Sequence, residues 1–217
     1  MRALCLVLLL SAAPARAQDV DARLAFIDHS LSRGALGASL WWAGWMSYAA
    51  AEASYGWVRY ARTTDRLDRD VWLVTGLGSS LWLAQLLIFP LSGAYAPLRM
   101  QRLPQATPEQ RREALPRAER LLERAARDER EAVHWGEHVL DLAWAFGSAA
   151  YIYGRNHTHP HVWRTTGIEL GLTILLTEAA ILSTPRRAIR DWDQYRTRHL
   201  SWDVQLSGTH ASWALRF

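Results

Sequence analysis

The residues best suited to chemistry form one short segment, residues 134–138, which reads His-Trp-Gly-Glu-His and is soon followed by Asp141. On a helix, His134, His138 and Asp141 share one face, because side chains three or four positions apart are neighbours. Imidazole nitrogens and carboxylate oxygens are ordinary ligands of zinc and of iron. The spacing therefore predicts that these three side chains are candidate metal ligands.

The same segment has the order H-x-x-E-H, which in the inverzincin motif provides two zinc-binding histidines and a glutamate base. No other feature of the sequence resembles that family. A metal would need a further ligand, and Glu178 is the best candidate because it lies at a depth similar to Asp141 in the predicted bundle. The predicted zinc or iron site has Glu137 as its candidate base and four ligands: His134, His138, Asp141 and Glu178.

A purely structural role for these side chains is the competing interpretation. Histidine and glutamate at the end of a membrane helix can simply cap and solvate it. Asp141 and Glu178 lie within apolar segments, where carboxylates are costly and usually face partners or water. In this interpretation they are protonated, or they are hydrogen-bonded to hydroxyl groups such as that of Thr177.

A second group of potential ligands, His157, His159 and His161, alternates with other residues in a polar stretch. His157 lies about 28 Å from His138 if both are on one helix, so the two groups cannot form one site. We interpret the second group as a polar turn. The sequence has no phosphate-binding glycine loop, no G-x-S-x-G elbow and no cysteine pair, so nucleophilic catalysis has no candidate.

The elements that carry these residues are predicted to lie in a membrane. The chain has 217 residues, of which 50% are hydrophobic and 21% charged. All 25 basic residues are arginine, twelve residues are tryptophan, and the single cysteine excludes an internal disulfide. The mean hydropathy of -0.13 averages apolar runs with arginine-rich ones. This composition argues against disorder and against a disulfide scaffold, and it favours a small integral membrane protein.

The N-terminus resembles a secretory signal peptide. Arg2 is followed by an apolar run of about ten residues, too short to span a bilayer. Ala15-Arg16-Ala17 then fits the small-x-small cleavage rule. We expect residues 1–17 to be removed, and an uncleaved anchor is the alternative.

Four apolar stretches favour an all-α fold, a bundle of four transmembrane helices built from two similar hairpins. They are residues 34–51, 71–98, 137–154 and 162–184. The sequence Val-Trp-x-x-Thr-Gly occurs at Val71 and again at Val162, which predicts an internal duplication. The predicted segments are 1–17 (signal peptide), 18–94 (first hairpin), 95–135 (Arg/Glu-rich helical loop), 136–185 (second hairpin) and 186–217 (tail).

The loop and the tail have their own patterns. Thr107-Pro108-x-Gln110 is a helix start, and Pro116 is expected to break or restart that helix. In the tail, alternating apolar residues predict a β-hairpin over about 199–216 with Ser207-Gly208 as its turn and Trp202 opposite Trp213.

A cleaved signal peptide places the long loop and the C-terminus in the periplasm of a bacterium, with the bundle as a multi-pass protein of the inner membrane. The arginines oppose this topology, because nine lie in the loop and six in the tail, and positive charge favours the cytoplasmic side. Long segments nevertheless translocate largely regardless of charge. We therefore expect the loop and the tail to lie in the periplasm.

The leading functional hypothesis is a non-catalytic scaffold or accessory subunit whose partners are the lipid bilayer and other proteins or further copies of the chain. Nucleic acid is excluded as a partner, because acids balance the arginines of the loop and export removes the target. The alternatives are a metal- or proton-dependent enzyme and a small transporter subunit. The enzyme requires its four ligands within about 5 Å of one point, whereas the scaffold predicts that His138 and Glu178 point apart.

Overall fold

The computed structural model describes the backbone of residues 2–199, 203–207 and 210–214, with side chains from Asp19 to His199. The chain is mainly helical, and a short 3-10 turn at Ser92–Ala94 separates α2 from α3. The elements are α1 (Arg2–Arg62), α2 (Arg66–Ile88), α3 (Ala96–Gln101), α4 (Pro108–Glu131), α5 (Trp135–Asn156), α6 (Val162–Ser183), α7 (Arg187–His199), β1 (Asp203–Ser207) and β2 (His210–Ala214).

The chain divides into two units, each made from separate segments. The first unit comprises Met1–Leu36, Ser92–Asp128 and Arg186–Phe217. The second comprises Gly37–Leu91 and Glu129–Pro185. Helix α1 contributes residues to both units.

The first unit has an apolar core formed by one face of each of its helices. Leu24, Ile27 and Leu31 recur at helical spacing on α1 and are buried, together with Met100 from α3. Tyr195 of α7 is wholly buried in the same cluster. The buried face of α4 is rich in alanine, which lets helices approach closely: Ala114, Leu115, Ala118, Leu122, Ala125 and Ala126.

The start of α4 confirms the predicted capping residues. The Gln110 amide donates to Thr107 Oγ1 at 3.2 Å, and the Thr107 amide donates to Gln110 Oε1 at 3.3 Å. The predicted break at Pro116 is wrong, because α4 continues through this residue to Glu131. Packing of the apolar face of α4 outweighs the cost of about 3 kcal/mol that proline imposes within a helix.

In the second unit, α5 packs along α6 and also contacts α2. The buried cluster comprises Leu67, Val74, Ile152 and Val162. Asp65 starts α2 by accepting the Asp68 amide at 3.0 Å, and His134 starts α5 by accepting the Gly136 amide at 3.1 Å. Side-chain caps of this kind satisfy amides that a helix leaves without internal partners.

The predicted bundle of four membrane spans is wrong. Among the described residues, two helical stretches are long and apolar enough to cross a membrane, namely Arg66–Ile88 and Val162–His199. The second stretch is interrupted between α6 and α7. The region 34–51 lacks charge but contains much glycine, serine and tryptophan, and α5 carries Glu137, Asp141 and Arg155. Absence of charge alone therefore does not make a segment apolar enough to cross a membrane.

The predicted second span, 71–98, also differs from the structure. Helix α2 ends at Ile88, and Pro90 follows after one further turn residue. Proline lacks the amide hydrogen that a continuing helix requires and constrains the residue before it. The remainder of that uncharged run forms the 3-10 turn and the beginning of α3.

The predicted hairpin over about 199–216 is wrong in its register. Strand β1 pairs antiparallel with β2 so that Val204 lies opposite Trp213, rather than Trp202, and Leu206 lies opposite Ala211. Ser207 pairs with His210, so Ser207-Gly208 is not the two-residue connection. The two registers differ by two residues, which is also the period of the apolar alternation, and the sequence pattern therefore could not distinguish them.

The predicted signal peptide, residues 1–17, coincides with the beginning of α1 apart from Met1. Side chains are described from Asp19 onward. Its removal from the mature chain stays a prediction.

Candidate functional site

One hydrogen-bonding contact joins two of the predicted ligands. His138 Nδ1 on α5 lies 2.7 Å from Glu178 Oε1 on α6. Their side chains are 33% and 29% exposed, so both are accessible only in part. The structure thus contradicts the expectation, attached to the scaffold hypothesis, that these two side chains point apart. A carboxylate beside an imidazole can hold or pass a proton, and it can also simply fasten two helices together.

The other predicted ligands are placed differently. His134 uses Nδ1 to cap α5 and is exposed. Asp141 lies one turn beyond His138, within electrostatic range of that residue and of Glu137 and Glu178. Within the described residues, no group of three or more His, Cys, Asp or Glu side chains is placed to hold a metal ion. The structure brings together His138 and Glu178, but not the set of four as a ligand cluster.

A second polar contact, between α1 and α2, is centred on Glu52. Tyr48 donates its hydroxyl to Glu52 Oε1 at 2.8 Å, and Ser79 donates to Oε2 at 2.7 Å. Thr75 of α2 donates to Glu169 Oε1 of α6 at 3.3 Å. Sequence reasoning did not single out these carboxylates as a site. The sequence feature that could have identified them is that each is an isolated acidic residue within an apolar helical segment.

A third polar contact joins α2 to the end of α5. Asp70 is buried, with 6% exposure, and accepts hydrogen bonds from Arg155 Nε at 3.1 Å and Asn156 Nδ2 at 2.9 Å. A buried carboxylate requires such donors, because an unpaired charge is costly to remove from water. This contact therefore holds the two helices in place.

The alternating histidines form the connection between α5 and α6. His157 Nδ1 lies 3.2 Å from the Gly154 carbonyl oxygen, and His159 Nδ1 accepts the His161 amide at 3.3 Å. His159 also approaches Asp65 at 3.8 Å. The prediction of a polar turn is confirmed.

The first unit contains a largely buried polar triad of Arg23, Glu119 and Tyr195 from α1, α4 and α7. Arg23 Nε donates to the Tyr195 hydroxyl at 2.8 Å, and both Arg23 and Tyr195 donate to Glu119 Oε1. Burial, followed by the hydrogen bond to Glu119, raises the pKa of Tyr195 above its usual value. The phenol is therefore neutral at physiological pH and acts as a hydrogen-bond donor.

The sequence indicated neither this triad nor its residue pairs. Its members are separated by 76 to 172 positions along the chain. Each one looks like an ordinary polar residue of an amphipathic helix. Only the packing of three helices makes them neighbours.

An open groove of about 410 Å³ lies in the first unit. Arg111 Nε at its edge pairs with Asp21 Oδ1 at 2.9 Å. The groove is lined by Asp21, Leu24, Ala25, Asp28, Met100, Gln101, Gln105 and Arg111.

The chain matches no protein-family model, no curated protein and no solved structure.

Proposed function

We propose that this chain is an integral membrane protein of the bacterial inner membrane that serves as a non-catalytic scaffold or accessory subunit. The second unit, which contains α2 and α6, is embedded in the bilayer in this proposal, and the first unit is available to protein partners or to further copies of the chain. One observation carries it, namely the distribution of polar and apolar side chains over the second unit.

The surface of the second unit is unusually apolar. Among the described residues, every exposed large hydrophobic side chain except Leu36 and Leu98 belongs to this unit. Ile88 and Leu175, on α2 and α6, are 67% and 64% exposed. Water would disfavour such a surface by up to about 1.5–3 kcal/mol for each large side chain, whereas lipid chains would solvate it. These exposures support a lipid environment.

Several polar groups of the same unit are paired with one another between helices. Glu52 is bonded to Tyr48 and Ser79, Asp70 to Arg155 and Asn156, and Glu178 to His138. Polar side chains within membrane segments are expected to face one another in this way. Because these groups already satisfy each other, the arrangement favours structural over catalytic roles.

The finer localisation belongs to the same proposal. Residues 1–17 act as a signal peptide, the protein is multi-pass, and the long loop and the C-terminus lie in the periplasm. The repeated Val-Trp-x-x-Thr-Gly sequence, at Val71 and Val162, reflects duplication of an ancestral segment. Positions 71 and 162 lie near the beginnings of α2 and α6, which is in line with that origin.

The experiment that tests membrane insertion is resistance of the protein to extraction with alkaline carbonate. We expect the parent protein to remain in the membrane fraction. Leu175→Arg should lower the inserted fraction, because an arginine at the centre of a membrane helix costs about 2.5–3.5 kcal/mol. Leu98→Arg is the matched control, since Leu98 is similarly exposed, at 58%, but belongs to the first unit. Release of the parent by carbonate would refute the membrane proposal.

A metal- or proton-dependent enzyme is the second candidate, and the 2.7 Å contact between His138 and Glu178 is the observation that favours it. Metal analysis of the detergent-purified protein separates the two functions. The scaffold proposal expects no near-stoichiometric zinc or iron. Stoichiometric metal that is lost in both His138→Ala and Glu178→Ala would establish the enzyme candidate instead.

A further inference from the structure

The segment that follows α6 is strongly basic. Between Glu178 and Asp191 the sequence contains three arginines, Arg186, Arg187 and Arg190, and no acidic residue. Arg186 follows the last residue of α6, Ser183, by three positions. Three residues span at most about 10 Å, while the headgroup region on each side of a bilayer is roughly 5–8 Å thick. Chain length alone therefore places these arginines within reach of lipid headgroups if α6 crosses the membrane.

The three arginines are not equally available. Arg187 is only partly exposed, its side chain runs past Gly34, and its Nε lies 3.6 Å from Asp191 Oδ2 of the next turn. Arg186 and Arg190 are exposed. Arg186 immediately precedes α7, and Arg190 lies in the first turn of that helix, so both are close to the end of the connection from α6. The opposite face of α7, with Trp192 and Tyr195, is buried in the core of the first unit.

We propose that Arg186 and Arg190 form a binding site for the phosphate of anionic phospholipids. This inference rests on the proposed membrane location of α6. Guanidinium groups bind phosphate oxygens through paired hydrogen bonds, and basic segments next to a membrane helix favour anionic over zwitterionic lipid. Their spacing and exposure, together with the anchoring of the other face of α7, leave both side chains free to contact lipid.

The test uses the full chain in nanodiscs of phosphatidylcholine containing increasing fractions of phosphatidylglycerol. A Cys5→Ser background carries one reporter, Gln194→Cys, labelled with a fluorophore. Gln194 is exposed and lies four positions from both Arg190 and Arg198. Quenching by spin-labelled phosphatidylglycerol is compared with quenching by spin-labelled phosphatidylcholine.

Half-maximal quenching should occur at a several-fold lower mole fraction of spin-labelled phosphatidylglycerol than of phosphatidylcholine. Arg186→Gln/Arg190→Gln should abolish this preference, so that the two lipids quench at equal mole fractions, and each single variant should be intermediate. Arg196→Gln/Arg198→Gln removes the same charge from exposed positions farther from α6 and should retain the preference.

Equal quenching by the two lipids, or an equal loss in both double variants, would overturn the site. Carbonate extraction of the same proteins distinguishes the two proposals. A parent that resists extraction but shows no lipid preference refutes the phosphate site alone, whereas a parent that is extracted refutes the membrane location.

Discussion

The triad of Arg23, Glu119 and Tyr195 shows how single polar residues determine the packing of the first unit. Glu119 accepts from both other members, so it satisfies two partly buried donors at once. The side chains of Arg23 and Glu119 are only 15% and 16% exposed. Removal of one charged member would leave the other partly buried without compensation, which costs more than the net value of a hydrogen bond.

Replacement of Glu119 by alanine is accordingly expected to destabilise the docking of α7 by about 3 kcal/mol, and Tyr195→Phe by about 1–2 kcal/mol. Hydrogen–deuterium exchange of peptides from α7 in the full chain is the measurement, with faster exchange expected in both variants. Arg124→Ala, at an exposed position of α4, should leave that exchange unchanged. Unchanged exchange in Glu119→Ala would contradict a stabilising triad.

His199 gives the first unit a dependence on pH. Burial, and then the charge of Arg23, lower the pKa of His199, while Asp19 acts in the opposite direction. The folded state therefore binds the proton less readily than the unfolded chain, whose histidine pKa is about 6.5. The contribution of His199 to the free energy of unfolding is therefore fully present above that pKa. It decreases as the pH falls toward the pKa of the folded state.

We expect α7 to become more susceptible to limited proteolysis as the pH is lowered from 7.5 to 5.5. His199→Gln should weaken this dependence, because glutamine does not titrate. His29→Gln, which alters an exposed histidine of α1, serves as the control and should behave like the parent. A dependence on pH that is identical in His199→Gln would exclude His199 as its source.

Helices α1 and α2 approach each other closely where Gly56 of α1 meets Gly76 of α2. A Cβ atom at Gly56 would lie 2.8 Å from Gly76 Cα and from Gly76 N, which are backbone atoms that cannot rotate away. Gly44, on the same helix, has open space around it. The sequence showed small residues at helical spacing in these helices, but not which of them permits the contact.

Gly56→Ala is therefore expected to lower the thermal unfolding midpoint of the detergent-solubilised protein by several degrees, because α1 and α2 must move apart. Gly44→Ala should have no effect or should raise the midpoint, since alanine is favoured over glycine in a helix by about 1 kcal/mol. If both variants gave the same midpoint, the close approach at Gly56 would be unsupported.

Helix positions were more predictable than helix environments. The predicted stretch 162–184 nearly coincides with α6, and Thr107 begins α4 as expected, because periodicity and caps are local properties. The span assignments at 34–51 and 137–154 were wrong. At 34–51, absence of charge was weighted above the scarcity of strongly apolar residues, and the stretch 137–154 contains Glu137 and Asp141. Pro116 was misjudged for a different reason, because tertiary packing overrides a local helix-breaking preference.

For the complete chain, the two units should respond differently to a reagent dissolved in lipid. A hydrophobic photoactivated carbene is expected to label peptides from α2 and α6 in proteoliposomes, where Leu81 and Leu175 are exposed. Peptides from α4 and α7 should be labelled much less. Mass spectrometry of the digested protein provides the measurement, and a water-soluble carbene is the control with the reverse preference. Uniform labelling of all four helices would contradict the proposed membrane location.

The sequence by itself determined where most helices lie and which residues are candidates for chemistry. It also indicated the contrast between arginine-rich and apolar segments. These properties depend on neighbours within a few positions of the chain, which periodicity and capping rules describe directly.

The tertiary structure alone decided which candidates meet and how segments combine. Contacts across 40 positions between His138 and Glu178, and across 172 between Arg23 and Tyr195, depend on the orientation of one helix against another. An apolar stripe specifies that a helix face is buried, but it does not specify its partner. For that reason two of the four proposed ligands were found together, and the units proved to be assembled from segments that are far apart in sequence.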